Sequence, residues 1–278
     1  MKSYLYLFFS LILFTSCTGD DSSTFEPQTE ADILEYIEAN NLTTTKTNSG
    51  LYYVINNEGT GTRPTENDIV ELDYKAYLLD GTIYDERESI ILNLGIVING
   101  LREGVQLLKE GGDATLLIPY QLAFGESGNS SGSIPGGTVL IFEIKLKASY
   151  PDYESQNDAS ILKYIDDNNL VATKTDSGLY YVKTKEGDGN KPASSTANVT
   201  VAYKGYLLNG SVFDENSNGF TTNLNNVISG WTEGIQFFKE GGEGILLIPS
   251  HLAYGDAGNA AIPGGAVLIF DIKLISVN

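Results

Sequence analysis

Two stretches of this sequence, 128 residues apart, are nearly the same. ILEYIEANNLTTTKTNSGLYYV at 33–54 returns as ILKYIDDNNLVATKTDSGLYYV at 161–182, identical at sixteen of twenty-two positions. VELDYKAYLLDGTIYDE (70–86) is matched by VTVAYKGYLLNGSVFDE (199–215). KEGG recurs at 109 and 239, LLIP at 116 and 246, IPGG at 134 and 262, and LIFEIKL (140–146) returns as LIFDIKL (268–274). Such a period is too long for a solenoid, and it lets each copy bury its own core, so the chain is a tandem duplication. The copies are read as 31–149 and 160–278, joined by a polar, Pro-containing linker over 150–159 (YPDYESQNDA).

The same elements are legible in each copy. Ile33, Leu34 and Ile37, like Ile161, Leu162 and Ile165, are spaced for a short opening helix, and a strand GLYYV follows. Val70, Leu72, Tyr74 and Ala76, and in the second copy Val199, Val201, Tyr203 and Gly205, alternate as half-buried strands. LLDG and LLNG supply hairpin turns. One amphipathic helix follows in each copy, GLREGVQLLKEGG or GWTEGIQFFKEGG, and its Gly pair is expected to stop it. A strand ending in Leu-Ile-Pro, a Gly-rich loop and a last strand complete the copy. The expectation is an α+β unit, a bent antiparallel sheet wrapped on one amphipathic helix, with a short N-terminal helix added.

Composition removes whole classes of chemistry. Thirty-six acidic against seventeen basic side chains leave a net charge of −19, which argues against nucleic acid as a partner. The single Cys excludes an intramolecular disulfide and any Cys-based zinc site. The single His, His251, leaves no His-rich metal centre; it has no identifiable nucleophile or acidic partner and reads as a surface residue. No metal and no cofactor is expected.

The first residues read as an address. Lys2 precedes an apolar run from Tyr4 to Phe14, too short to span a bilayer, and Thr15-Ser16 lead directly into Cys17. Residues 1–16 read as a signal peptide, and the Cys17 context resembles the lipobox of bacterial lipoproteins, with lipidation at that Cys; ordinary secretion is the alternative. Residues 17–30 read as a flexible tether. Asp20-Asp21 are either a charged spacer or an acidic tag that sends some Gram-negative lipoproteins to the outer face of the outer membrane.

In the second copy Tyr203 is followed by Phe213-Asp214, then Val227-Ile228 and Gly230-Trp231, then Ala253-Tyr254-Gly255, Ile262-Pro263 and Phe270. That order and spacing resembles the FK506-binding-protein (FKBP) class of peptidyl-prolyl cis/trans isomerases, over about 179–275 and more weakly over 51–147. The resemblance implies two tandem FKBP-like domains. It implies that Trp231 floors a proline pocket with Tyr203, Phe213, Phe220, Val227, Ile228 and Phe270 as walls. The Ile228 N–H and the Tyr254 hydroxyl would hold ligand carbonyls, Asp214 would sit at the rim oriented by neighbouring hydroxyls, and Ile262 would close the loop side. The first copy keeps Tyr74, Tyr84, Asp85, Val97, Ile98, Ile134 and Phe142. It has Leu101 in place of the Trp, Phe124 in place of the Tyr, Ile90 about where Phe220 stands, and Ser130-Ser131-Gly132 lengthening the loop. A weak or inactive pocket is expected there.

The implied activity is peptidyl-prolyl isomerisation, assisting the folding of exported proteins and residing mainly in the second copy. A non-catalytic chaperone or scaffold that holds proline-containing segments is the alternative. The implied partners are proline-containing segments of exported proteins, macrolide inhibitors of the FK506 type, and a membrane through the lipid anchor. The implied location is the outer membrane or periplasm of a Gram-negative bacterium, with surface exposure if the acidic tag operates. Anchored isomerases associated with gliding motility are similar.

Overall fold

The computed structural model describes residues 26–278; the leader 1–16, Cys17 and the tether as far as residue 25 lie outside the described residues. Each copy folds around its own six-stranded antiparallel sheet. In the first, α1 (Glu30–Ala39) precedes β1 (Thr45–Lys46), β2 (Tyr52–Asn57), β3 (Ile69–Tyr77), β4 (Ile83–Asn93), α2 (Asn99–Val105), β5 (Asp113–Ile118) and β6 (Leu140–Tyr150). The second repeats this as α3 (Tyr153–Asp167), β7 (Thr173–Lys174), β8 (Tyr180–Lys185), β9 (Asn198–Leu207), β10 (Val212–Asn223), α4 (Ser229–Gly234), β11 (Glu243–Ile248) and β12 (Leu268–Val277). The strand order β1-β2-β5-β6-β3-β4 recurs as β7-β8-β11-β12-β9-β10. Among the described residues no helix is long and apolar enough to cross a membrane.

Period-two alternation puts one residue set of each strand under the short helix. Leu246, Phe270, Ile272, Val199 and Val201 pack with Trp231 and Ile235 of the helical segment, and Leu116, Phe142, Ile144, Val70 and Leu72 form the matching core with Leu101 and Val105. The helix lies directly on the central strand because glycine faces it. A Cβ on Gly230 would come within 2.4 Å of Ile248 Cγ2, and one on Gly234 within 2.8 Å of Leu246. Under the opposite sheet face lie Ile33 with Tyr52, Leu117 and Ile141, and Ile161 with Tyr180, Leu247 and Ile269. Both sheet faces of each copy are therefore partly covered.

Three details differ from the reading of the sequence. The opening helices bury Ile33 and Ile161 and pack Tyr36, Ile37, Tyr164 and Ile165 half-buried beside them, while Leu34 and Leu162 lie about half exposed. The buried stripe follows i, i+3, i+4, and a neighbour at i+1 turns off that face. The second helix of each copy does not run to its Gly pair. α2 ends at Val105, and α4 tightens into a 3₁₀ turn over Ile235–Phe237, because Leu108 and Phe238 must drop into the core. Lastly, little of 150–159 is a linker. β6 runs to Tyr150, Asp152 caps the next helix by accepting from Ser155 N at 2.7 Å, and α3 begins at Tyr153, leaving Pro151 and Asp152 between them.

The hairpin turns are where they were expected. Asp80 and Asn209 each accept from a backbone N–H two residues on, Thr82 at 2.9 Å and Ser211 at 3.0 Å.

Candidate active site

The second copy gathers aromatic residues from four elements into one cluster of contacting rings. Tyr203 reaches in from β9 and meets Trp231 of α4 edge-on at 5.0 Å and 88°. Phe270 of β12 lies 5.2 Å from Trp231 and 6.1 Å from Tyr203. Phe213 and Phe220, both on β10, contact Phe270 at 5.5 Å and Tyr203 at 6.3 Å respectively. Each pair is tilted or perpendicular, the arrangement that sets a positive ring edge on a negative ring face, and is worth about 0.5–1.5 kcal/mol beyond area burial.

Burial grades from floor to rim. Trp231, Phe270 and Ile262 are 4–5% exposed. Tyr203, Phe213, Val227 and Ile228 are half-buried, while Phe220 and Tyr254 are 40% and 43% exposed. The Trp231 indole N–H is buried with no acceptor among the described residues. Ile228 gives its carbonyl to Trp231 N and Thr232 N, while its own N–H donates to nothing among the described residues.

Asp214 is oriented by one hydroxyl, that of Tyr203, which donates to Oδ2 at 2.7 Å. Burial, then that hydrogen bond and the Asp214 charge, push the Tyr203 phenol up to about 12. It therefore stays a donor at any physiological pH. Ile262 is held by Asn259, whose Oδ1 accepts from Ile262 N at 2.9 Å and from Ala261 N at 2.8 Å.

The first copy builds a reduced version. Tyr74 and Tyr84 meet Phe142 at 5.6 and 6.1 Å, and Leu101 lies buried at the floor. Val97, Ile98, Ile90 and Phe124 pack around it half-buried, and Ile134 is buried. Tyr74 donates to Asp85 at 2.5 Å, but Asp85 also pairs with Arg87 at 3.1 Å, a position that is Asn216 in the register of the second copy. Ile90 sits opposite Leu72 as Phe220 sits opposite Val201, so the two are equivalent, and the β10 bulge is one residue longer. The extra loop length amounts to two residues, taken up inside the turn where Asn129 accepts from Ile134 N at 3.0 Å.

One supporting residue escaped the sequence reading. A Cβ on Gly205 would lie 2.7 Å from Phe270 and 2.8 Å from Phe213, so its absence lets those rings meet over β9. The first copy has Ala76 there, fully buried. The Gly/Ala difference at an inward position of otherwise matched strands was the available signal. His251, in contrast, lies exposed with Nε2 2.8 Å from the Ser177 carbonyl, away from the ring cluster, as expected of a surface residue. A groove of about 440 Å³ crosses the first sheet, but Asp73, Lys75, Arg87, Glu143 and Lys145 line it with alternating charge, which offers no apolar seat.

A family model described as FKBP-type peptidyl-prolyl cis-trans isomerase matches residues 60–147 and 189–275, more than half of the chain. A probable FKBP-type peptidyl-prolyl cis-trans isomerase FkpA from Neisseria meningitidis serogroup B is 47% identical over 107 residues, 37% of this chain and 39% of the relative. FkpA of Escherichia coli K12 is 32% identical over 194 residues, 64% of this chain and 69% of that protein. The crystal structure of FkpA from Escherichia coli aligns with TM-score 0.41 and 35% identity over 45% of this chain and 61% of that one. The chain spans less than half the length of the first curated relatives it matches. With the family model matched once in each copy, the chain belongs to the FKBP-type peptidyl-prolyl cis-trans isomerase family and carries its domain twice.

Proposed function

We propose that this chain catalyses cis/trans isomerisation of X–Pro bonds, mainly in its second copy, on exported proteins folding in a bacterial envelope. The observation that carries the reading is the cluster of edge-to-face rings centred on Trp231 and Tyr203, with Asp214 held beside it by the Tyr203 hydroxyl.

Rotating a prolyl amide means passing a twisted state against a barrier of roughly 18–20 kcal/mol. No bond breaks, so the reaction needs no nucleophile. The twisted amide has lost resonance and much of its dipole, and it gives up less hydration than the planar form on entering an apolar site. A cup of rings favours it differentially, and each ~1.4 kcal/mol of that difference is about tenfold in rate. Trp231 would seat the proline ring, with Phe213, Phe220, Val227 and Phe270 around it. The Ile228 N–H and the Tyr254 hydroxyl would hold the flanking carbonyls, and Ile262 would close the loop side. Tyr203 would keep Asp214 turned to the rim.

The first copy lacks the floor ring and the rim hydroxyl, and its Asp85 is tied to Arg87. This favours weak turnover there, with retention of proline segments as its contribution. The leader 1–16 and Cys17 support delivery to the envelope and anchoring by lipid, in the periplasm or at the outer membrane.

The test is a proline-peptide isomerisation assay on the full chain and its Trp231→Leu, Tyr254→Phe and Asp214→Ala variants. Loss in all three is expected. A macrolide of the FK506 type should also shift the fluorescence of the sole Trp. A folded chain with no turnover and a silent Trp231 would overturn the reading.

A further inference from the structure

Asn157 is fully buried, although the sequence alone places it in a polar linker. It lies in the second turn of α3 and points into the second copy. Its Oδ1 accepts from Ser250 N at 2.6 Å, and its Nδ2 donates to Gly265 O at 2.8 Å and to Gln156 Oε1 at 2.8 Å. Gln156, also buried, donates in turn to Ser160 Oγ at 2.7 Å. A buried amide with both ends satisfied is a rigid link, because breaking either end strands a backbone group away from water.

Ser250 and Gly265 are the two ends of the loop that carries Tyr254 and Ile262. The loop is also closed by Gly255 N to Ser250 O at 2.8 Å and Gly265 N to Gly255 O at 3.0 Å. Asn157 therefore clamps both arms at their base. Tyr153, at the start of the same helix, seals the second arm. A Cβ on Gly265 would lie 2.0 Å from its ring, which is how closely the backbone passes under it.

The first copy is fastened differently. Gln28 donates its N–H to Gly137 O at 2.8 Å and accepts from Val139 N at 2.7 Å. Both contacts fall on the far arm, and among the described residues no side chain there cross-links it to the near arm. The double clamp occurs in the copy that has a Tyr in the loop, and the single one where that residue is Phe124.

We propose that Asn157 is a positioning residue for the second copy's proline site, so that α3, the helix that opens that copy, is a working part of the site. The proposal rests on the reading of the second copy as the isomerase. Asn157 touches no substrate; it acts by fixing where Tyr254 and Ile262 stand.

The experiment compares the full chain with Asn157→Ala, Tyr153→Ala and Asn168→Ala, each alone and combined with Tyr254→Phe, in the peptide assay. Asn168 caps the other end of α3 through Tyr164 O at 2.8 Å and serves as the helix control. Asn157→Ala is expected to lower kcat/KM about five- to tenfold, carried mostly by KM, because a loosened loop weakens substrate binding while the aromatic residues beneath it stay in place. Tyr153→Ala removes no hydrogen bond to the loop and is expected to raise KM in the same direction. Asn168→Ala is expected to leave both constants alone. In the Tyr254→Phe background the Asn157 effect should shrink, since residues that act through one group are not additive. Hydrogen exchange over 250–265, with Trp231 fluorescence reporting the fold, should show faster opening of that loop alone.

If Asn157→Ala stays folded with KM unchanged, or its effect adds fully to that of Tyr254→Phe, the positioning role is overturned. Should Asn157→Ala fail to fold, a folded Tyr153→Ala with unchanged KM overturns it equally. A parent chain without turnover would overturn the site reading and this inference with it, whereas an active parent indifferent to Asn157 sinks only the inference.

Discussion

At the scale of single residues, the two copies act as a comparison built into one chain. Trp231 and Leu101 occupy the same buried floor, and Trp231 carries an indole N–H that finds no acceptor among the described residues. Trp231→Leu should lower kcat/KM about tenfold or more. It should cost less in denaturant unfolding than the roughly 3–5 kcal/mol of a Trp→Ala truncation, because Leu refills part of the volume, as Leu101 does in the first copy. Gly205→Ala would drive a methyl into Phe213 and Phe270, and overpacking of that sort costs roughly 1–3 kcal/mol. The expected result is a folded protein with a weakened ring cluster, read as reduced macrolide-induced change in Trp231 fluorescence. Tyr203 supplies a pH prediction. Its phenol is raised to about 12, so the folded state favours the protonated form. That contribution is complete below the ordinary tyrosine pKa near 10, and it is lost as pH rises from there toward about 12. An unfolding series across that window should fall more steeply for the parent than for Tyr203→Phe.

Elements decide what these residues can reach. α4 lies on β11 because Gly230 and Gly234 present no Cβ to Ile248 and Leu246. Gly230→Ala should lift the helix that carries Trp231, lowering the thermal midpoint by several degrees, on a scale of about 4–8 °C per kcal/mol for a domain near this size. Turnover should fall with it, whereas the same change at Gly100 should destabilise the first copy with little loss of turnover. The bulge in β10 is a second element-scale device. One extra residue between Asn216 and Phe220 bends the strand so that Phe220 leans its edge on Tyr203, where the shorter bulge of β4 presents Ile90.

For the whole molecule, duplication has left one fold with two different floors. Restoring the missing rings tests whether the floors are what separates the copies. In a Trp231→Leu background, the double change Leu101→Trp and Phe124→Tyr should return measurable isomerisation. If it returns none in a folded chain, a feature other than those two side chains, such as the Asp85–Arg87 pair, holds the first copy inactive. Much of this was legible in the order of residues. The 128-residue repeat, the alternation in Val199–Gly205 and the LLNG turn are local patterns, and they specified the duplication, the strands and the hairpins. The aromatic set could be named because its order resembles the FKBP class, and strand alternation added only that Val199, Val201 and Tyr203 share a face. Tertiary structure decided the rest. Only packing determined that the helix stops short of its glycines so that Phe238 can be buried, and that Asn157, which the sequence places in a linker, lies in α3 and clamps the loop. Each of these outcomes depends on which distant surface the chain meets, and a linear pattern encodes the periodicity of a segment but not the shape of its partner.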